Sequence, residues 1–361
     1  MNLTRPFSLP LWTVAAPILA CAVLGAVWGQ VPGGAVALAL AAVLVASVTV
    51  SVKHAETVAH FVGEPFGALI LALAVTVIEV SLIVSLKLFG GAGQDALARD
   101  TVFATVMIVC NGIVGLCLFA GALRHQVAVF RVEGSAPALA VLIPLTTLAL
   151  VLPQFTTTTA GPTYSTSQLA FAGLMSLLLF GVYVFVQTIR HREHFLPIGG
   201  NDDAHGAPPA TGTTVAAFLL LCIALVTVVG LAKTLAPGIE ASVAAIGAPS
   251  SFVGVVIALI VLLPETGAAF RAAVRNRMQI SLNLALGSAL ATIGLTIPAI
   301  AVVAIVFDMP ITLGLAAKEI VLLVLTFAVS IITLTSGRAT ILHAAVHLVL
   351  FAAFLFLSIV P

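Results

Sequence analysis

Apolar side chains follow one another in this sequence for twenty residues and more at a stretch, again and again along its length. A helix of about 20 such residues crosses the ~30 Å hydrocarbon core of a bilayer. Only helices and closed barrels satisfy their own backbone there, and barrel strands alternate apolar with polar residues. These runs are continuous, so they are helices. They fall at about residues 10–29, 33–52, 63–88, 101–123, 136–152, 168–189, 214–232, 250–272, 280–306, 312–334 and 339–359. Turn residues and charges separate them: Pro32-Gly33-Gly34, Lys53 to Glu56, Gly90 to Asp100, Arg124 to Glu133, and Arg190 to Gly212. The chain reads as an all-α polytopic membrane protein with eleven transmembrane helices.

Composition narrows the choice of function. Fourteen Lys/Arg and thirteen Asp/Glu among 361 residues cannot clothe a soluble surface. The net charge of +1 offers no basic stripe for nucleic acid, so the expected partners are lipid and small ions. No GxxxxGK[ST] loop supports ATP-driven transport, and no HExxH or aspartate pair within a span supports an intramembrane enzyme. No cofactor is expected. Cys21, Cys110, Cys117 and Cys222 lie in apolar runs and read as buried fillers. The run around Cys21 continues to Trp28, which favours a retained first helix over a cleaved leader.

Basic residues set the orientation. With alternating sides, Arg5, Lys53, Arg124, Arg131, Arg190, Arg192, Arg271, Arg275, Arg277 and Arg338 share one face of the membrane. Lys87, Arg99, Lys233 and Lys318 share the other. The excess places the N-terminus in the cytoplasm and the C-terminus outside. The polar stretch from His191 to Gly212 is a cytoplasmic linker with five spans on either side of it, after one extra helix. An odd number per half inverts the second half, the geometry of an inverted repeat. The organisation expected is an extra helix over 1–32, a five-helix repeat over 33–190, a linker over 191–213 and a second repeat over 214–361.

Two acids break the apolar pattern. Aligned without gaps, ALAVTVIE (72–79) and ALIVLLPE (258–265) place Glu79 and Glu265 at one point of their spans. MIVCNGIVGL (107–116) and SALATIGLTI (288–297) set Asn111 opposite Thr292. An ionisable group in mid-membrane costs about 3 kcal/mol or more unless paired or hydrated, which marks the two glutamates as functional. Pro264 should kink or break the eighth span beside Glu265 and free carbonyls. With Thr266, Gly267 and Ser288 nearby in sequence, the donors are all oxygen, suited to Ca²⁺ or Na⁺ rather than zinc or copper. Protons and a cation competing for the same carboxylates suffice for exchange.

Other polar residues have plainer readings. His343 and His347, at i and i+4, read as packing or an interfacial hydrogen bond. His191, His194 and His205 read as a solvated loop, with pH sensing or weak metal binding as the other option. Arg271, Arg275 and Arg277 anchor the cytoplasmic side. Asp100 and Asp308 read as loop or cap residues. Lys318-Glu319 is equally a local ion pair or part of an outer mouth.

The runs GEPFGALILALAVTVIEVSLI (63–83), RDTVFATVMIVCNGIVGL (99–116), LPETGAAFRAAVRNRMQISLNLALGSALATIGLTIPA (263–299) and KEIVLLVLTFAVSIITLTSGRATILHAAVHLVLFAAFLFL (318–357) resemble bacterial ChaA-type calcium/proton antiporters. These form part of the cation/proton exchanger branch of the cation/calcium exchanger superfamily. The resemblance runs from about Lys53 onward. It implies one extra helix followed by two inverted five-helix repeats in the bacterial inner membrane, exporting Ca²⁺ or monovalent cations against proton entry. It also implies Glu79 and Glu265 as ion-binding acids, Asn111, Ser288 and Thr292 as polar positions beside them, and Glu56 and Glu64 near the cytoplasmic entrance. The family's Gly-Asn-Ala-type turn before each acid is replaced by Thr76-Val77-Ile78 and Leu263-Pro264, and Val106-Met107 stands opposite Gly287-Ser288. Fewer oxygen ligands shift the expectation towards Na⁺ or K⁺ beside Ca²⁺. The residues alone leave open a gated cation channel without proton coupling, or an antiporter of monovalent ions only.

Overall fold

The computed structural model describes residues 9–30, 32–63, 66–89, 94–196 and 209–361. Eleven long helical segments occur among them: α1 (Leu11–Val27), α2 (Gly34–Val62), α3 (Phe66–Phe89), α4 (Leu97–His125), α5 (Val132–Gln154), α6 (Thr166–Arg190), α7 (Thr211–Ala245), α8 (Phe252–Val274), α9 (Met278–Val306), α10 (Ala317–Thr335) and α11 (Ile341–Ile359). They match the eleven expected spans in order, although several boundaries move. Glu64 lies outside the described residues, as do Arg5 and the linker's Asp202, Asp203 and His205.

Two helices run through charges expected to end them. α2 continues past Lys53 and Glu56, which pair at 3.7 Å along the helix. The Thr57 hydroxyl donates back to the Lys53 carbonyl. The helix stops at Gly63, whose φ of 76° turns its N–H onto the Ala59 carbonyl. A residue with a Cβ is strained in that left-handed conformation, which is why glycine closes the helix. α7 continues through Lys233 and Pro237 to Ala245. Proline deletes one hydrogen bond, while the Thr234 and Ser242 hydroxyls donate to carbonyls one turn back.

The chain forms two compact units, each drawing on two separate stretches of the sequence: 1–92 with 201–242, and 93–200 with 243–361. In the first unit α2 packs between α1 and α3. Its buried stripe runs Ser47, Ser51, His54, Ala55, Val58 at helical spacing. Ala55, Ala74 and Leu221 meet in a small apolar cluster. Buried His54 meets the Thr13 carbonyl through Nε2 at 2.9 Å, tying α1 to α2. Cys21 and Cys222 are exposed, not buried as expected: they face outward, where lipid serves as solvent.

In the second unit α4 is the most enclosed span and α9 the next. α8 packs along α4 and α9, α11 along α4, and α6 along α9. The α4–α8 crossing is close. A Cβ on Gly254 would lie 2.8 Å from the Asp100 carbonyl carbon and from the Thr101 nitrogen, so only glycine fits. After α4 and after α10, two short strands join antiparallel, β1 (Ala128–Val129) with β2 (Arg338–Ala339). Cys110 and Cys117, both in α4, are the buried fillers anticipated.

Candidate functional site

Glu79 sits in α3 with only 1% of its surface exposed. Thr76, one turn earlier, is also buried and donates its hydroxyl to the Ala72 carbonyl. A carboxylate so far from water is stable only when a proton, a cation or hydrogen-bond donors offset its charge. Glu265 sits in α8 and is partly buried. The expected break at Pro264 is absent: α8 runs unbroken from Phe252 to Val274. The helix spans the missing bond with its neighbouring turns, and the Thr266 hydroxyl satisfies the Leu262 carbonyl at 2.7 Å.

Irregular backbone lies in other spans, and α5 and α6 widen into π-turns at Thr147–Val151 and Val186–Arg190. α4 widens into a π-turn at Ile108–Ile113, and α9 does so at Thr292–Thr296. These turns contain Asn111 and Thr292, the two residues that the gapless alignment sets opposite each other. A π-turn inserts one extra residue and displaces backbone carbonyls from their helical partners, a feature concentrated at functional sites. Helix pattern alone does not announce it. Thr292 is buried, and the Ser288 hydroxyl one turn before is enclosed without a hydrogen-bond partner among the described residues.

Asn111 is fully buried, and both ends of its amide are engaged. Nδ2 donates to Thr326 Oγ1 of α10 at 2.9 Å, and Oδ1 meets His347 Nδ1 of α11 at 3.4 Å. His347, also without exposed surface, reaches Thr333 Oγ1 of α10 through Nε2 at 3.1 Å. The interfacial hydrogen bond expected for His347 is therefore present, whereas His343 accepts from the Thr340 main-chain N–H at the start of α11. Sequence reasoning missed Thr326, Ser330 and Thr333. Their spacing of i, i+4, i+7 in an apolar span is the signal that would have found this buried polar stripe.

The second unit thus brings together the helices of Glu265, Asn111, Ser288 and Thr292, while Glu79 and Glu56 belong to the first. Glu56 is half exposed and paired with Lys53 beside a cavity of about 280 Å³ that Thr13, His54, Thr57 and His60 also line. Glu319 accepts the Ala316 N–H at 2.8 Å and caps α10, and it lines a small cavity with Asp100, Ser251 and Lys318. Asp100, expected as a loop or cap residue, is buried in the first turn of α4 against Arg99 at 2.7 Å. Asp308 does occupy a turn, with a φ of 50°. Beyond α6, exposed His191 and Glu193 and partly buried His194 draw ligand atoms within 4.8 Å of one another. The Glu193 carboxyl is held below its ordinary range, first by its own main-chain N–H and then by His194 and His191.

The model of the family described as sodium/calcium exchanger protein matches residues 33–189 and 216–360. The protein y4hA of Sinorhizobium fredii, named as an ionic transporter, is 45% identical over 364 residues, covering 99% of this chain and 98% of that one. The sodium-potassium/proton antiporter ChaA of Escherichia coli is 34% identical over 322 residues, 88% of this chain and 87% of its own. Among solved structures, native YfkE superposes with a TM-score of 0.73 at 18% identity, over 97% of this chain and 99% of that chain. The H⁺/Ca²⁺ exchanger CAX gives 0.70 at 15% identity, over 96% and 87%. These two show a shared fold. The chain belongs to the sodium/calcium exchanger protein family, among its cation/proton antiporters.

Proposed function

We propose that this protein exports a hard cation, Ca²⁺ with Na⁺ or K⁺ as further substrates, against proton entry, with Glu79 and Glu265 as the groups that hold the cation or the protons in turn. The observation that carries the reading is a glutamate with 1% exposure inside an apolar span, matched by a second acid at the aligned position. The enclosure of α4 and α9, with π-turns at Asn111 and Thr292, supports these as the helices that complete the ion path. Packing of α4 on α11 and α9 on α6 supports two inverted repeats, since each third span of a repeat meets the last span of the other. The excess of basic residues on one side supports an N-terminus in the cytoplasm, and the likeness to bacterial antiporters supports a place in the bacterial inner membrane. A reading restricted to monovalent ions draws on the Escherichia coli relative, a sodium-potassium/proton antiporter.

The test is proton/cation exchange in proteoliposomes, adding Ca²⁺, Na⁺ or K⁺ separately and following internal pH. The unaltered protein acidifies or alkalinises the lumen according to the imposed cation gradient. Glu79→Gln and Glu265→Gln lose at least about 100-fold in rate, as expected when a charge-assisted ligand worth about 3 kcal/mol is removed. Wild-type exchange by both variants would overturn the assignment. Cation flux indifferent to the pH gradient would instead mark a channel.

A further inference from the structure

Met107, Asn111, Thr326, Thr333 and His347 form one continuous chain of contacts across three helices, and four of its links bear hydrogens. Thr326 Oγ1 accepts from Asn111 Nδ2 and donates to Met107 Sδ at 3.5 Å. Asn111 Oδ1 faces His347 Nδ1, and His347 Nε2 faces Thr333 Oγ1. The direction of these bonds follows from chemistry. The Asn111 amide oxygen that faces Nδ1 can only accept. The nitrogen facing α4, Nδ1, therefore carries the ring proton, and Nε2 accepts from the Thr333 hydroxyl. Held by Thr326 Oγ1 at its nitrogen and by Nδ1–H at its oxygen, the Asn111 amide keeps one orientation. α11 lies close on α4 at this point, where a Cβ on Gly115 would stand 3.0 Å from the His347 Cβ.

We infer that His347 is a positioning residue for ion exchange. Its Nδ1–H fixes the Asn111 amide oxygen on one bearing in the π-turn, leaving that oxygen's second lone pair as a preset cation ligand. The inference rests on the reading of Asn111 as part of the ion path, and α8, the helix of Glu265, packs along the same π-turn. Thr326 and Thr333 complete the device from α10 by fixing the amide nitrogen and the imidazole.

Two substitutions separate the nitrogens of the ring. The amide nitrogen of asparagine falls near the place of Nδ1, and that of glutamine near Nε2. In proteoliposomes, with whichever of Ca²⁺, Na⁺ and K⁺ the unaltered protein exchanges, His347→Leu and His347→Gln raise the cation KM about tenfold while the maximal rate stays within about twofold. His347→Asn stays within about twofold of wild type on both. Asn111→Ala raises KM to a similar extent, and adding His347→Leu to it causes no further rise. Monodisperse elution of each variant in detergent certifies the fold before assay, and His347→Asn keeps the test intact if His347→Leu does not fold. An unchanged KM in His347→Leu, rescue by Gln instead of Asn, or a loss confined to maximal rate would each reduce His347 to a brace and overturn the inference. An unchanged KM in Asn111→Ala would instead remove Asn111 from the ion path, a separate failure.

Discussion

Tyr164 closes the loop between α5 and α6 by donating its hydroxyl to the Leu148 carbonyl at 2.7 Å, and burial pushes its phenol up to about 12. Because the folded value is raised above the unfolded value of about 10, its contribution is whole below pH ~10 and is lost as pH rises through about 12. Tyr164→Phe is expected to lose about 1 kcal/mol, seen as a lower unfolding temperature at neutral pH. It also removes one phenolate step above pH ~10 in ultraviolet titration, which is readable because the chain has two tyrosines. An unchanged unfolding temperature and titration would refute the anchor. Single residues differ in how far they speak from sequence. Glu79 and Glu265 are conspicuous because a lone acid in an apolar run has no cheap explanation. For His347 the sequence suggests a hydrogen bond but not its partners, since Thr333 and Asn111 stand 14 and 236 positions away.

Helices were legible as helices because continuous apolar runs leave no alternative in lipid. Their irregularities were not. Pro264 looked like the breaking point, yet α8 carries it without interruption, while α4 and α9 deform at Ile108–Ile113 and Thr292–Thr296 with no proline inside either π-turn. A π-turn depends on what the displaced carbonyl meets, which is tertiary information. Charge was equally misleading as punctuation in α2 and α7, because near a membrane surface Lys and Glu side chains can reach water from within a helix. Helix crossings make a sharper prediction. Gly254→Ala would force a methyl group to 2.8 Å of the α4 backbone, which cannot retreat as a side chain can. We expect about 1–3 kcal/mol of destabilisation by thermal unfolding in detergent, and a larger loss for Gly254→Leu. Stability within 0.5 kcal/mol of wild type for both, roughly the spread of neutral surface changes, would mean that the crossing is looser than described.

At the scale of the whole molecule, order of synthesis and order of packing disagree. The first unit joins residues 1–92 to 201–242, and the second joins 93–200 to 243–361, so neither can be completed by a contiguous stretch of chain. A chain stopped after Val306 has Asn111 but lacks α10 and α11, the helices that engage its amide, and it is expected to be degraded in cells rather than to accumulate. Accumulation of that fragment at full-length levels would contradict the dependence. The same delay is written in the two-stranded ribbon. Val129 waits for Arg338, about 210 residues later, and ribosomes add some 5–20 residues each second. For roughly 10–40 s the early helices must stay in the bilayer with a polar amide still unpartnered, so the nascent chain depends on whatever shelters it at the insertion machinery until its last two helices arrive.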